Sequence, residues 1–501
     1  MSDGDVNLGR TGRLAGGPAP ELVAAGHQAE IAHGQALAQA LSLSDLAHAV
    51  VLLDAGAVRG ETGRDLVAGL LELHDIPADE FPWDASRGDA FNSREHVLRE
   101  RVGPAASGWL TAGRPRREAF RVALRIVARR GVLDLADRLL DLADALTDQG
   151  ERHAATLAAD YTYLQPAQPT TFGHLMLGFA EAVRRDVERL RRVHDWLDHS
   201  VAGCGGSSGS RWPLDRARLA EYLGCEAVAI HTKDAMWAAD GYADLASVVA
   251  IALTGQSQLA QDLEILCSRE FGAVELADAH SRQSDLMPQK KNPYALPVIR
   301  AAAAEAAGMV TTILTALHTG SARTDNYQVL NGGIPTLLGN AVRTTALSAA
   351  VVSDLTVNQN AMAAAAREGF TVAADVADVV AQVADIDYRT AHTIVGRSVR
   401  RLSDEGLPPS ALTGELLRTI GMEIAGGRVH IPDEAVEAAL DPAACLAART
   451  QIGSATPQQI AAMVADGRDR GLADRAWITG NRRRADLATD RLLGRARELA
   501  G

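Results

Sequence analysis

From about Ala243 to Ser268, the residues Leu245, Val249, Ala252, Gln256, Leu259, Leu263 and Leu266 recur at alternating four- and three-residue spacing, with no proline between them. That spacing puts them on one face of a helix, and at 1.5 Å per residue it predicts a rod roughly 40 Å long. Comparable tracts at about 116–157, 170–202, 296–319 and 335–368 give five long helices in the middle of the chain. Long neighbouring helices with apolar stripes bury them by packing as a bundle. On either side, shorter helical patterns are broken by Pro and Gly, as in EGLPPSAL and GRVHIPDEA. The pattern predicts an all-α chain in three parts: an N-terminal helical domain over 1–112, the long-helix bundle over 113–366, and a C-terminal helical domain over 367–501.

Two irregular stretches interrupt the bundle, AGCGGSSGSRWP at 202–213 and ADAHSRQSDLMPQKKNP at 277–293. Their glycine and polar content stops a helix, and loops held by a rigid scaffold are where binding groups tend to sit. The basic run NRRRAD near the C-terminus reads as a solvated helix face.

Composition sharpens this picture. Only 4% of the residues are aromatic, while Ala, Leu, Arg, Glu and Asp fill long tracts, a usage that favours helix over strand. The chain has 501 residues, 47% hydrophobic and 23% charged, which suits a soluble globular protein with a large core. A net charge of -13 is the wrong sign for neutralising a phosphate backbone, so no nucleic-acid partner is expected. Cys204, Cys225, Cys267 and Cys445 are isolated and none forms a CxxC, which leaves neither a metal-ligand pattern nor a disulfide framework. A reducing, cytoplasmic setting without a bound metal is the expectation. The first 17 residues have no apolar core of a leader, and no uninterrupted apolar run approaches the ~20 residues of a membrane span, so no membrane partner is expected either.

The stretch with the most specific chemistry is Ser284-Asp285-Leu286-Met287-Pro288-Gln289-Lys290-Lys291-Asn292-Pro293. It resembles the signature loop of the aspartase/fumarase superfamily, a serine followed by MPxKxNP. Three further segments, YTYLQPAQPTTFGH at 161–174, DYRTAHTIVG at 387–396 and TQIGSATPQQI at 450–460, are similar to the argininosuccinate lyase branch and follow in the same order. The resemblance covers most of the chain from about residue 89 and is poor over the first 60 residues. It implies a three-domain fumarase/aspartase-like chain, a homotetramer whose central helices form a shared core, and active sites assembled from three chains. It also implies a cofactor-free β-elimination: a base removes a proton next to a carboxylate, and a C–N bond breaks to release fumarate.

In that scheme Ser284 is the base, Lys290 and Asn292 face the charge that builds on the carboxylate, and Thr162 and Met287 belong to substrate binding. A serine hydroxyl acts as a base only where donors lower its pKa and loop closure excludes water. An isolated serine in a polar loop is ordinary turn chemistry, and the surrounding signature is what favours catalysis. Gln283 and Asp285 stand where the family usually has glycine and a second serine, so the loop is expected to close differently.

The departures bear on specificity. The family pairs a histidine, in its YTHLQ-type segment, with a glutamate shortly after the NP of the loop; here the two positions are Tyr163 and Pro297. Losing both together avoids an unpaired buried carboxylate. Tyr163 is either a general acid, with a reference pKa of ~10, or a filler of space. His280, four residues before Ser284, is an alternative proton donor or a bystander. The family's GRSRND-like turn reads Gly113-Arg114-Pro115-Arg116-Arg117-Glu118, so the serine and asparagine that the resemblance places on the succinyl group are Pro115 and Arg117; Arg116 and Arg117 are assigned to substrate binding, the added arginine suited to grip a carboxylate, with one of the three arginines structural. Of the YNKDLQED-like segment that recognises an arginine moiety, only Asn326 survives within Asp325 to Asn331.

These residues support a carbon–nitrogen lyase that cleaves an N-substituted aspartate, an aminocarboxylate or an unusual nitrogen compound, to fumarate plus an amine or other nitrogen nucleophile, or that runs in reverse. The alternatives are a non-catalytic structural protein on the same scaffold, as inactive crystallins illustrate, and an ordinary argininosuccinate lyase. The sequence does not name the leaving group, the direction or the general acid.

Overall fold

In a computed structural model the chain is described over residues 17–320, 325–426 and 429–501, and it is built almost wholly from helices. The N-terminal stretch read above for a leader lies, but for its last residue, outside the described residues. Around the large core run α1 (Gln28–Ala36), α2 (Ala38–Asp54), α3 (Gly60–His74), α4 (Ala90–Ser107), α5 (Arg116–Arg152), α6 (Phe172–Leu197), α7 (Asp240–Leu266), α8 (Ala295–Ala316), α9 (Asp325–Ser353) and α10 (Pro457–Ala500).

Helices α5 to α9 are the five long rods expected from the apolar spacing. The last differs: it starts at Asp325 rather than near 335, carries Pro335 inside it, and stops at Ser353. A proline removes a donor and crowds the preceding turn, which reads in sequence as a boundary. Here the packing of α9 along α5 outweighs that local preference. Beyond Ser353, Thr356–Val357 pairs with Val274–Glu275, and Asn358 caps a separate helix, Gln359–Glu368.

Strand is the second departure from a purely helical reading. Leu157–Thr162 and Gln165–Thr171 form an antiparallel hairpin between α5 and α6. Thr162, Thr170 and Thr171 are β-branched and Pro166 and Pro169 oppose helix, so the local chemistry favours extended chain. Thr171 then ends the hairpin by accepting a hydrogen bond from the His174 amide at the start of α6.

A single hydrophobic core joins elements from α1 to α9 and takes in Ile478, Leu492 and Ala496 of α10. A second core lies between Val372 and Cys445, among shorter helices that include Tyr388–Asp404. The 44-residue α10 thus leaves the second core and returns along the bundle. Its Arg468 meets Asp148 and Glu151, Arg475 meets Asp137, Asp141 and Asp144, and Arg482 meets Asp134 and Asp137, at 2.6–3.3 Å. Arginines seven residues apart share a helix face, so they form one ladder against the acidic face of α5. Arg482 and Arg484 belong to the basic run read as solvated. They instead dock α10, Arg484 pairing with buried Asp198.

Helix α8 is long and apolar enough to cross a membrane by length and composition, although Arg300 and Glu305 interrupt it and Arg300 pairs with Glu264 of α7. Only 22% of its most apolar window is buried within the chain. Its outward face, with Val298 and Leu314, is left uncovered.

His194 on α6 is buried edge-on against Trp477 of α10, their ring centroids 5.3 Å apart. Burial, helped by the nearby charges of Arg129 and Arg484, pushes its pKa down to about 3. The folded chain therefore holds the ring neutral, whereas the unfolded chain protonates it below about 6.5, so stability falls as pH drops from about 6.5 towards 3. At pH 5 this linkage amounts to about 2 kcal/mol. Thermal unfolding of His194→Gln at pH 7 and pH 5 should show a smaller drop than the parent.

Candidate active site

The signature loop is a short hairpin in which Arg282–Gln283 pairs with Lys291–Asn292, leaving residues 284–290 as its tip. Partly exposed Ser284 accepts a hydrogen bond through Oγ from the Met287 amide at 3.0 Å, and the Lys290 amide donates to the Met287 carbonyl at 3.1 Å. Both bonds curl the tip into tight turns. Asn292 Nδ2 donates to the Arg282 carbonyl, which closes the base of the hairpin. Lys291 clasps that base to the body of the protein through Glu275 and Asp278, at 2.7 Å each. Among the described residues the Lys290 ammonium makes no ion pair. Leu286 is 86% exposed and Met287 is exposed beside it.

Tyr163 and Leu164 form the two-residue turn between the strands ending at Thr162 and beginning at Gln165. Both have left-handed backbones, with φ of 55° and 57°. A two-residue hairpin with positive φ at both positions normally takes Asn-Gly, so a tyrosine and a leucine here are strained by about 1–3 kcal/mol each. Strain of this kind tends to collect at functional sites. The Tyr163 side chain is 99% exposed, and Thr162 is exposed beside it. His280, the alternative proton donor, has its Nε2 against Asp354 at 3.0 Å.

The hairpin and the signature loop leave the same end of the bundle. The ring of Tyr161 meets that of Phe271 edge-on at 5.4 Å, just past the end of α7, where the chain runs on towards the loop.

Arg116, Arg117 and Asn326 lie at the opposite end. Gly113, at a φ of 73° and packed against Ser210 and Trp212, turns the chain into Pro115 and the start of α5. Arg114 is buried on Asp45, which also holds Arg94, so it is the structural arginine of the three. Arg116 reaches Asp89 at 2.6 Å and Asn92 at 3.3 Å. Arg117 is exposed and makes no ion pair among the described residues. Both line a cavity with Glu30, His33, Asp89, Arg121, Tyr327 and Asn331. Asn326 is buried next to this lining, and among the described residues its amide oxygen has no partner. Burial pushes the carboxyl of Asp89 up from its ordinary range, against the pull of Arg116.

Arg121 escaped the sequence reading. Its signal is a charge four residues after Arg117, on the same helix face and among Phe120, Val122, Ala123 and Leu124. Glu118, on the same turn, is buried and accepts the Gly203 and Gly205 amides at 2.6 and 2.8 Å. That pins the glycine-rich 202–213 stretch beside this end. Among the described residues no group of three His, Cys, Asp or Glu side chains converges as a metal site would require.

Helix α5 separates the two groups. Its 37 residues span about 55 Å, with Arg116 at the first residue and the hairpin following the last. Within one chain, Ser284, Lys290, Asn292, Thr162 and Tyr163 stand at one end, while Arg116, Arg117 and Asn326 stand at the other.

Comparison with known proteins agrees with the motif reading. Residues 29–308 match a family model described as lyase, and residues 370–447 match one described as argininosuccinate lyase C-terminal. The argininosuccinate lyase of Methanoculleus marisnigri is 31% identical over 493 residues, covering 98% of this chain and 99% of its own. That of Acidothermus cellulolyticus is 34% identical over 479 residues, covering 93% and 94%. The crystal structure of EDDS lyase in complex with formate has a TM-score of 0.87 at 24% identity, covering 97% of this chain and 96% of that one, which is a likeness of fold. The shared fold, the two family matches and these full-length relatives agree: the chain is a carbon–nitrogen lyase of the aspartase/fumarase superfamily and belongs to its argininosuccinate lyase-like branch.

Proposed function

We propose that the enzyme cleaves an N-substituted aspartate of the aminocarboxylate type to fumarate and an amine by anti β-elimination, or adds the amine to fumarate in reverse. The observation that carries this reading is the cavity at the start of α5, where Arg116, Arg117 and Arg121 stand together. The lining also holds Glu30 and Asp89, but the three arginines leave it net positive, so a guanidinium-bearing group would meet like charge there, whereas a substrate with an added carboxylate would find partners. EDDS lyase, which shares the fold, supports the same substrate class by analogy.

In this mechanism Ser284 removes the proton from the carbon next to the carboxylate, and the electron pair builds negative charge on that carboxylate. The ammonium of Lys290, the amide of Asn292 and the hydroxyl of Thr162 offset that charge. The C–N bond then breaks as the pair forms the double bond of fumarate. Met287 covers the reacting centre when the loop tip closes. Tyr163 either protonates the departing nitrogen or walls the pocket. The steps described use side chains of the chain itself.

The 55 Å span of α5 requires the two groups of residues to come from different copies if they serve one centre. A homotetramer provides this, with the uncovered apolar face of α8 packed in a shared core.

Incubating the enzyme with fumarate and a panel of amines, and with N-substituted aspartates alone, then reading products by mass spectrometry, tests the substrate class. Adducts with carboxylate-bearing amines are the expected result, and efficient cleavage of argininosuccinate would contradict it. With a substrate in hand, Ser284→Ala should lower turnover by at least ~10², with substrate binding nearly unchanged. Near-normal turnover would remove Ser284 from the base role.

A further inference from the structure

The signature loop divides into a fixed root and a free tip. Its root is stitched to the chain that follows α9: Val274–Glu275 pairs with Thr356–Val357, the Asn358 amide donates to the Ala273 carbonyl at 2.9 Å, and the Asn358 side chain donates to the Gly272 carbonyl at 3.1 Å. The next turn, Asp278–His280, is gripped from two sides. Asp278 meets Lys291 of the returning strand at 2.7 Å, and His280 Nε2 donates to Asp354 at 3.0 Å. Among the described residues, by contrast, the hydrogen bonds of the tip over 284–290 run within the tip itself.

The two grips are unequal. Lys291 and both its partners are exposed, and an exposed ion pair contributes less than about 1 kcal/mol. His280 is only 11% exposed, and its partner stands just past the last residue of α9, where a carboxylate faces the negative end of a helix and gains from a donor beside it. That contact is the firmer tie to the bundle. Gln283, where the family usually has glycine, is strand-paired with Lys291. A hinge at 283 would break this pairing, so movement is confined to the tip.

We infer that His280 is a positioning residue: through Asp354 it holds the loop root still, so that Ser284 and Lys290 close onto the fumarate half as a tip moving on a fixed base. The inference rests on the lyase reading of this loop and gives His280 an anchoring role in place of proton donation. Such a role needs a hydrogen-bond donor at the Nε2 position. It does not need a transferable proton.

Hydrogen–deuterium exchange of the intact enzyme, read by mass spectrometry with and without fumarate, tests this without requiring turnover. In the parent the root over 272–283 should exchange slowly and the tip fast, and fumarate should slow the tip. His280→Ala should speed root exchange about tenfold and cancel the effect of fumarate on the tip. Asp354→Ala, at a position 56% exposed and of little folding risk, should do the same, and the double variant should be no worse than either single one. His280→Gln should restore parental exchange, because its amide keeps a donor where Nε2 stood and offers no proton for catalysis. Glutamine behaving like alanine would overturn the inference, and so would alanine variants whose root and tip match the parent. A parent whose tip is not slowed by fumarate would overturn it too, and would take the loop out of the fumarate half of the lyase reading. Failure of the variants alone leaves that reading standing, so the two ideas fail separately.

Discussion

A straight helix of 37 residues cannot bring its two ends together, and this rigidity governs the rest of the molecule. Two sets of chemically equipped side chains sit about 55 Å apart, joined by packed apolar stripes that do not bend. At one end stand a serine and a lysine on an exposed loop and a tyrosine on a strained turn. At the other stands a cavity lined by arginines. Each set is half of the proposed reaction centre, to be completed by another copy of the chain.

Buried charge keeps the halves in place. Asp45 holds Arg94 and Arg114 in the core, which anchors the turn that leads into α5. Glu118 ties the glycine-rich 202–213 stretch to the same turn through two backbone amides, and Arg129 crosses to Asp198 at 2.8 Å. Removing one member of such a set strands the others without water or partner, a loss of about 3–5 kcal/mol. Arg121 breaks the pattern: among the described residues no carboxylate pairs with it.

The long helices were legible because a 3.6-residue apolar period sustained over twenty or more residues lines up on one face only when the chain is helical. The hairpin over 157–171 was legible only as a motif, since its tip residues, Tyr163 and Leu164, are not the Asn-Gly that a tight turn advertises. The fifth helix was misplaced because Pro335 reads locally as a helix start, and the basic run of α10 was misread because its acidic partners, Asp134 and Asp137 on α5 and Asp198 just after α6, lie 286 or more residues away. Arg114 and Arg116 look alike in sequence, and only burial separates the structural one from the one lining the cavity. Arg121 could be noticed as a charge on an apolar face, but its missing counter-ion is a property of the folded core.

The most direct test mixes two inactive proteins, Ser284→Ala and Arg116→Gln, altered at opposite ends of the bundle. Each should be inactive alone. If sites are built from different copies, dissociating and reassociating an equal mixture should restore about a quarter of the parental activity, because chance pairing leaves that share of sites with both residues intact. A mixture no more active than its unmixed components would contradict the shared site.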